Sequence, residues 1–153
     1  IIKSLNNMKG YWNRPEATEE AIKDGWFYSG DIGYFDDEGF LYIHDRVKDM
    51  IVSGGENIYP AEVENALLSH PQIADAAVIG IPDDKWGEVP CAFIELKKDQ
   101  NWNEIHAKQW CEENLASFKV PKYYFFENIP RTLTGKIQKF VLREKGKILT
   151  GTN

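Results

Sequence analysis

The chain has little cysteine, methionine or histidine, and each scarcity closes off a class of chemistry. Its two cysteines, Cys91 and Cys111, show no metal-ligand spacing. Neither has the basic neighbours of an activated thiolate, which fits a reducing, cytosolic setting. His44, His70 and His106 are scattered without partner spacing, so neither a catalytic triad nor a metal centre finds support. No run approaches the roughly 18 consecutive apolar residues of a membrane span, and no signal-peptide pattern opens the chain. Both GxGxxG and GxxxxGK[ST] are missing, which excludes a phosphate-binding loop of either kind. Internal repeats and low-complexity segments are absent as well.

What is present is an ordinary globular composition of 153 residues, 42% hydrophobic and 27% charged, enough to bury a core. The net charge of −6 is unevenly spread. Residues 1–45 carry nine acids against four bases, whereas Ser117 to Asn153 carries eight bases and two acids. An acidic chain with a basic C-terminal quarter implies a local anion site or a solvated lysine-rich tail, not a nucleic-acid-binding surface. The opening Ile1-Ile2-Lys3-Ser4 is neither a start methionine nor a helix cap, so the sequence reads as a piece of something longer.

Pattern and punctuation predict the elements. Thr18 is expected to cap a short helix over Glu19–Lys23, ended by Asp24-Gly25. Trp26-Phe27-Tyr28 reads as an aromatic strand, and Ile32–Phe35 with Phe40–Ile43 as a hairpin around Asp36–Gly39. A domain boundary is placed near Arg46–Lys48. Beyond it the pattern predicts a strand at Met50–Val52, then a helix over Ala61–Ser69 with Pro60 at its first position. Strands follow at Ile73–Ile81 and Val89–Leu96, separated by a loop over Pro82–Gly87. A helix begins near Asn103 and runs to Leu115, followed by a strand at Lys122–Glu127. Pro130–Gly135 reads as an irregular loop with a flexible Thr-Gly tip, and Ile137–Lys145 as a basic helix. Strands interleaved with helices make a small α+β fold.

The stretch His44–Glu64 combines a charged cluster, an apolar strand, a Gly-Gly turn and a helix start, a combination that core packing does not require. Singly, its residues say little. Asp31, after a glycine, is a turn residue or a carboxylate able to accept the two hydroxyls of a ribose. Arg46 is an ion-pair arginine or a phosphate fork. Gly54-Gly55 is a tight hairpin or a place where backbone can approach a ligand. Trp86 and Phe118 read as packing aromatics. Lys136, at the end of Pro130-Arg131-Thr132-Leu133-Thr134-Gly135, is an exposed lysine or a cation set to meet developing negative charge.

Together these pieces resemble the C-terminal region of the adenylate-forming superfamily, specifically acyl-CoA synthetases of the long-chain fatty-acid–CoA ligase type. MKGYWNRPEAT, GWFYSGDIGYFDDEGFLYIHDRVKDMIVSGGENIYPAEVE, IPDDKWGEV, FKVPK and PRTLTGK occur in that family's order and spacing, covering Met8 to about Arg143. The resemblance implies a short, mainly antiparallel sheet flanked by helices, forming a lid over residues 46–153. Residues 1–45 would be a β-hairpin tail of a large N-terminal domain.

By that resemblance the whole enzyme would make an acyl-adenylate from a carboxylic acid and Mg2+-ATP, then pass the acyl group to coenzyme A. Asp31 and Arg46 would bind ATP or AMP, Lys48 would be the hinge, and Lys136 would be catalytic in adenylation. Gly54 and Gly55 would line the pantetheine tunnel, with Trp86, Phe118 and Lys122 touching coenzyme A. Mg2+ would be held mainly by the N-terminal domain, the partner without which this segment would be inactive. Loading of a carrier protein, or a stand-alone nucleotide- or partner-binding module, are the alternatives. A cytoplasmic location is expected, with peripheral membrane association of the whole enzyme left open.

Overall fold

Proline and glycine placement decides where the first elements begin and turn. In the computed structural model, which describes residues 1–152, the chain forms two compact units, Ile1–Lys48 and Asp49 onward. The first unit opens its regular structure with helix α1 (Pro15–Ala21). The expected start at Glu19 is displaced because Pro15, with φ already fixed and no N–H to lose, is itself suited to the first helical position. Thr18 therefore lies inside the helix, where its Oγ1 donates to Arg14 O at 2.8 Å and accepts from Tyr11 N at 2.9 Å.

Asp24-Gly25 does not merely stop the helix. With φ of 51° and 78°, these residues turn the chain between β1 (Ile22–Lys23) and β2 (Trp26–Phe27), the geometry that favours such pairs in two-residue hairpins. Tyr28 falls outside the strand. The expected second hairpin is present as β3 (Asp31–Phe35) and β4 (Leu41–Arg46), antiparallel. Asp36 closes its loop, accepting Phe40 N at 2.8 Å and Glu38 N at 3.0 Å. The Phe40 bond, foremost, holds this carboxyl below its usual range. A 3-10 turn, Val47–Asp49, follows.

The second unit begins with β5 (Ile51–Ser53) and β6 (Glu56–Ile58), the latter too short to be distinguished in the sequence. Helix α2 (Pro60–Leu68) leads into β7 (Ile73–Asp83) and β8 (Gly87–Leu96). These two strands pair antiparallel from Ile73–Leu96 to Asp83–Gly87, so the loop expected over Pro82–Gly87 shrinks to three residues. Helix α3 (Glu104–Asn114) is capped by Asn103, whose Oδ1 accepts His106 N at 3.1 Å. Strand β9 (Tyr123–Phe126) runs parallel to β8, and α4 (Lys139–Thr150) ends at Gly151 in the left-handed conformation. The helix starts two residues later than expected because Ile137 pairs with Arg131 in an isolated bridge.

The sheet order is β6-β5-β8-β7, with β9 also on β8. Both faces of β7 and β8 are covered. Ala76, Val78, Ala92 and Ile94 pack with Val63 and Leu67 of α2 and with Ala107 and Cys111 of α3. Ala77, Ile79, Ile81, Cys91 and Phe93 pack with Leu142 of α4. This explains why the two strands read as almost unbroken apolar runs rather than alternating ones. Burial raises the Cys91 thiol to about 12 and, as the main cause, the Cys111 thiol to about 11, so both are inert core residues.

Leu142 is fully buried, so Leu142→Ala is expected to cost about 2–5 kcal/mol, read as a lower urea midpoint. An unchanged midpoint would show that α4 does not close the core.

Candidate nucleotide, carboxylate and thiol-side elements

The basic C-terminal segment is mostly neutralised in place. Lys119 pairs with Glu62, Lys122 with Asp83, Arg131 with Asp75, Lys139 with Glu64, Arg143 with Asp49, Lys145 with Glu127 and Lys147 with Glu144. Among the described residues, only one of its eight basic side chains lacks a carboxylate partner, and that is Lys136. Among the described residues, the charge left without a carboxylate partner in this quarter of the chain thus narrows to one ammonium group.

The loop presenting Lys136 is braced, not flexible. Thr132 N donates to Lys136 O at 2.8 Å, and Gly135 N donates to Thr132 O at 2.9 Å. Lys136 N donates to Thr132 Oγ1 at 3.1 Å. Gly135 takes a φ of 85°, which glycine adopts without strain. Arg131 fixes the base of the loop: its Nη1 donates to Gly135 O at 2.5 Å, and its Nη2 pairs with Asp75 on β7. The lysine backbone is thereby fixed while its side chain stays available.

Gly54 and Gly55 form the β5–β6 hairpin turn, with φ of 59° and 89°. Gly54 also meets a close approach. A Cβ there would lie 2.7 Å from Cε3 of Trp86, whereas one at Gly55 would meet nothing within 4 Å. Gly54 N donates to Trp86 O at 2.8 Å. Beside this turn is a cavity of about 430 Å3 lined by Gly54, Trp86, Phe118 and Lys122, with Pro90 and Val120. Four of the five positions expected on the thiol side are therefore brought together, and Gly55 is not among the lining residues.

Asp83 organises this cavity, and the sequence reading passed over it as loop. Its Oδ1 accepts Lys85 N at 2.9 Å and Trp86 N at 3.0 Å, while its Oδ2 accepts Lys122 Nζ at 2.6 Å. The Lys122 bond, foremost, lowers the Asp83 carboxyl and raises the Lys122 ammonium. The pair survives until pH falls into that lowered carboxylate range. An aspartate two and three residues before the amides it accepts is a recognisable turn signal. Lys85 completes the arrangement, its Nζ 4.5 Å from the Trp86 ring centroid, within cation–π range.

In the first unit, Asp31 and Arg46 face each other across the β3–β4 pair. Arg46 Nε donates to Asp31 Oδ1 at 3.1 Å, next to an irregularity at Ile32/Gly33. Val47 N donates to Gly30 O at 2.9 Å. Lys48, in the 3-10 turn, borders a separate cavity of about 620 Å3 with Tyr11, Arg14 and Tyr28.

Within the second unit, the Lys136 loop and the Gly54-Gly55 turn occupy opposite ends of β7. Arg131 ties the former to Asp75, while Ser53 pairs with Gly87, next to Asp83. Eight residue steps of strand lead from Asp75 to Asp83, about 27 Å at the rise of an antiparallel strand.

Residues 62–136 match the family described as the AMP-binding enzyme C-terminal domain. The chain is 54% identical to a long-chain-fatty-acid–CoA ligase of Mycobacterium tuberculosis, over 95% of this chain and 29% of the relative. It is 48% identical to a 2-succinylbenzoate–CoA ligase of Geobacillus kaustophilus, over 99% of this chain and 31% of the relative. The solved o-succinylbenzoate CoA synthetase of Bacillus subtilis, in complex with its acyl-adenylate intermediate, superposes with a TM-score of 0.83 at 46% identity. That match covers 95% of this chain and 29% of the solved one. The chain thus spans less than a third of the length of these relatives. What it carries is the C-terminal domain of the AMP-binding enzyme family.

Proposed function

We propose that this chain is the C-terminal part of an AMP-forming acyl-CoA ligase acting on a fatty or related carboxylic acid. In the first half-reaction the substrate carboxylate attacks the α-phosphorus of ATP, forming an acyl-adenylate and releasing pyrophosphate. In the second, the coenzyme A thiol attacks the acyl carbonyl and AMP leaves. The observation that supports this reading is the placement of the Lys136 loop and the Gly54-Gly55 turn at opposite ends of one hairpin, tied in at Asp75 and next to Asp83, positions about 27 Å apart along β7. One body with two remote working ends suits two reactions with incompatible demands.

Each end is chemically suited to one step. Adenylation builds charge on the α-phosphoryl group and carboxylate, and an unpaired ammonium on a braced loop stabilises it without reorganisation. Thiol attack needs a narrow approach, which a side-chain-free turn beside an aromatic-lined cavity permits. Asp31 accepts the ribose hydroxyls, exchanging its bond to Arg46, whose guanidinium approaches the ribose and phosphates. Lys48, next to the division between the two units, is the pivot that exchanges the two ends. Trp86, Phe118 and Lys122 contact coenzyme A, with Asp83 positioning the first and third. Mg2+ accompanies ATP and is assigned to the N-terminal domain, as is the acyl pocket. Residues 1–45 are the tail of that domain, and residues 46–153 are the lid.

In the full-length enzyme, Lys136→Ala is expected to slow acyl-adenylate formation by about 100- to 1,000-fold. Thioester formation from preformed acyl-adenylate should change little, and equal losses in both steps would refute the role. Gly54→Ala should do the reverse. A left-handed alanine costs roughly 1–2 kcal/mol and its Cβ displaces Trp86, so coenzyme A-dependent turnover should fall about tenfold or more with adenylation preserved. Lys48→Pro should trap one orientation of the lid, so unaltered rates in both half-reactions would remove the pivot from the scheme.

A further inference from the structure

Helix α4 follows directly from the Lys136 loop and carries three ion pairs to other elements. At its first turn Lys139 Nζ lies 2.8 Å from Glu64 Oε1 of α2, and the same oxygen accepts Val78 N at 2.8 Å. One turn later Arg143 Nη2 donates to Asp49 Oδ1 at 2.5 Å, with the Asp49 side chain only 11% exposed. Asp49 is the first residue of the second unit, immediately after Lys48. Farther along, Gly146 lies against Ile79 and Ile81 so closely that a Cβ would meet them at 3.1–3.2 Å. The helix therefore runs from the Lys136 loop along β7, touching the start of the unit on the way.

The two working ends are connected to Asp49 in different ways. The Gly54-Gly55 turn is joined to it by β5 alone, which is hydrogen-bonded into the sheet. The Lys136 loop is some ninety residues away in sequence, and among the described residues the Arg143–Asp49 pair is the ion pair by which α4 reaches that point. We infer that Arg143 and Asp49 are positioning residues that couple the pivot to the Lys136 loop, so that rotation at Lys48 delivers Lys136 in register. The pair touches no reactant; its effect is on where α4, and with it the loop, sits relative to the pivot. This inference rests on the ligase reading for its consequence, but the coupling itself is a property of the second unit.

Two experiments separate these layers. In the full-length enzyme, Arg143→Met and Asp49→Asn should each slow acyl-adenylate formation roughly tenfold to a hundredfold, the scale of a small misplacement of a catalytic group. Thioester formation from preformed acyl-adenylate should be nearly unchanged, the double variant should be no worse than either single one, and Arg143→Lys should recover part of the loss. Additive losses, or equal losses in both half-reactions, would overturn the coupling and leave a purely structural pair.

In the present chain, Arg143→Met should speed amide exchange at Met50 and at Thr132, Gly135 and Lys136, with β8 amides unaffected. Unaltered exchange at those positions overturns the inference regardless of activity. If the wild-type enzyme forms no acyl-adenylate while the exchange pattern appears, the ligase reading fails and the mechanical coupling stands.

Discussion

The burial of β7 and β8 on both faces is the constraint from which the rest of the second unit follows. A hairpin with apolar side chains on each side must be covered twice, and only α2 with α3 on one face and α4 on the other achieve this. The cover on the second face is tight enough that Gly146 has no room for a side chain without displacing Ile79 or Ile81. A hairpin paired along its full length is stiff, so whatever is attached to its two ends is held apart by the length of the strands. The Lys136 loop and the Gly54-Gly55 turn owe their separation to this, not to any local feature of either.

Ion pairs then decide what remains chemically available. Most of them are at least partly exposed and add little stability individually, but they fix geometry. Arg131 with Asp75 anchors a loop, Asp83 orients both Trp86 and Lys122, and Glu64 ties α4 and β7 to α2. Neutralising the neighbouring cations also sharpens the field at Lys136, since a binding anion meets one committed ammonium rather than a diffuse basic surface. In the proposed reading, this lets one side chain act in a single half-reaction.

The legible parts of the sequence were those in which a residue acts through its own backbone or its nearest neighbours. Pro60 before an apolar-periodic run marked α2, Asn103 marked the start of α3, and the apolar runs marked β7 and β8. The failures have equally local causes. Thr18 competes with Pro15 for the helix start, and the proline prevails because its φ is fixed in advance. Asp24-Gly25 serves a helix end and a hairpin turn equally well, and the partner strand decides between them. Ile137 continues a helical pattern but is held in a bridge to Arg131.

By itself, then, the sequence determined the element types of the second unit apart from the short strand β6, the positions of its obligatory glycines and, through ordered motifs, its family. It singled out Lys136, Gly54, Trp86, Phe118 and Lys122 and, through the family resemblance, divided them between two steps. Tertiary structure alone decided how the two groups are held apart, because that depends on which end of β7 each loop reaches and on strand register. It also decided which cations are neutralised. Arg143 and Asp49 are ninety-four residues apart in the chain, and no local pattern encodes a partner at that distance.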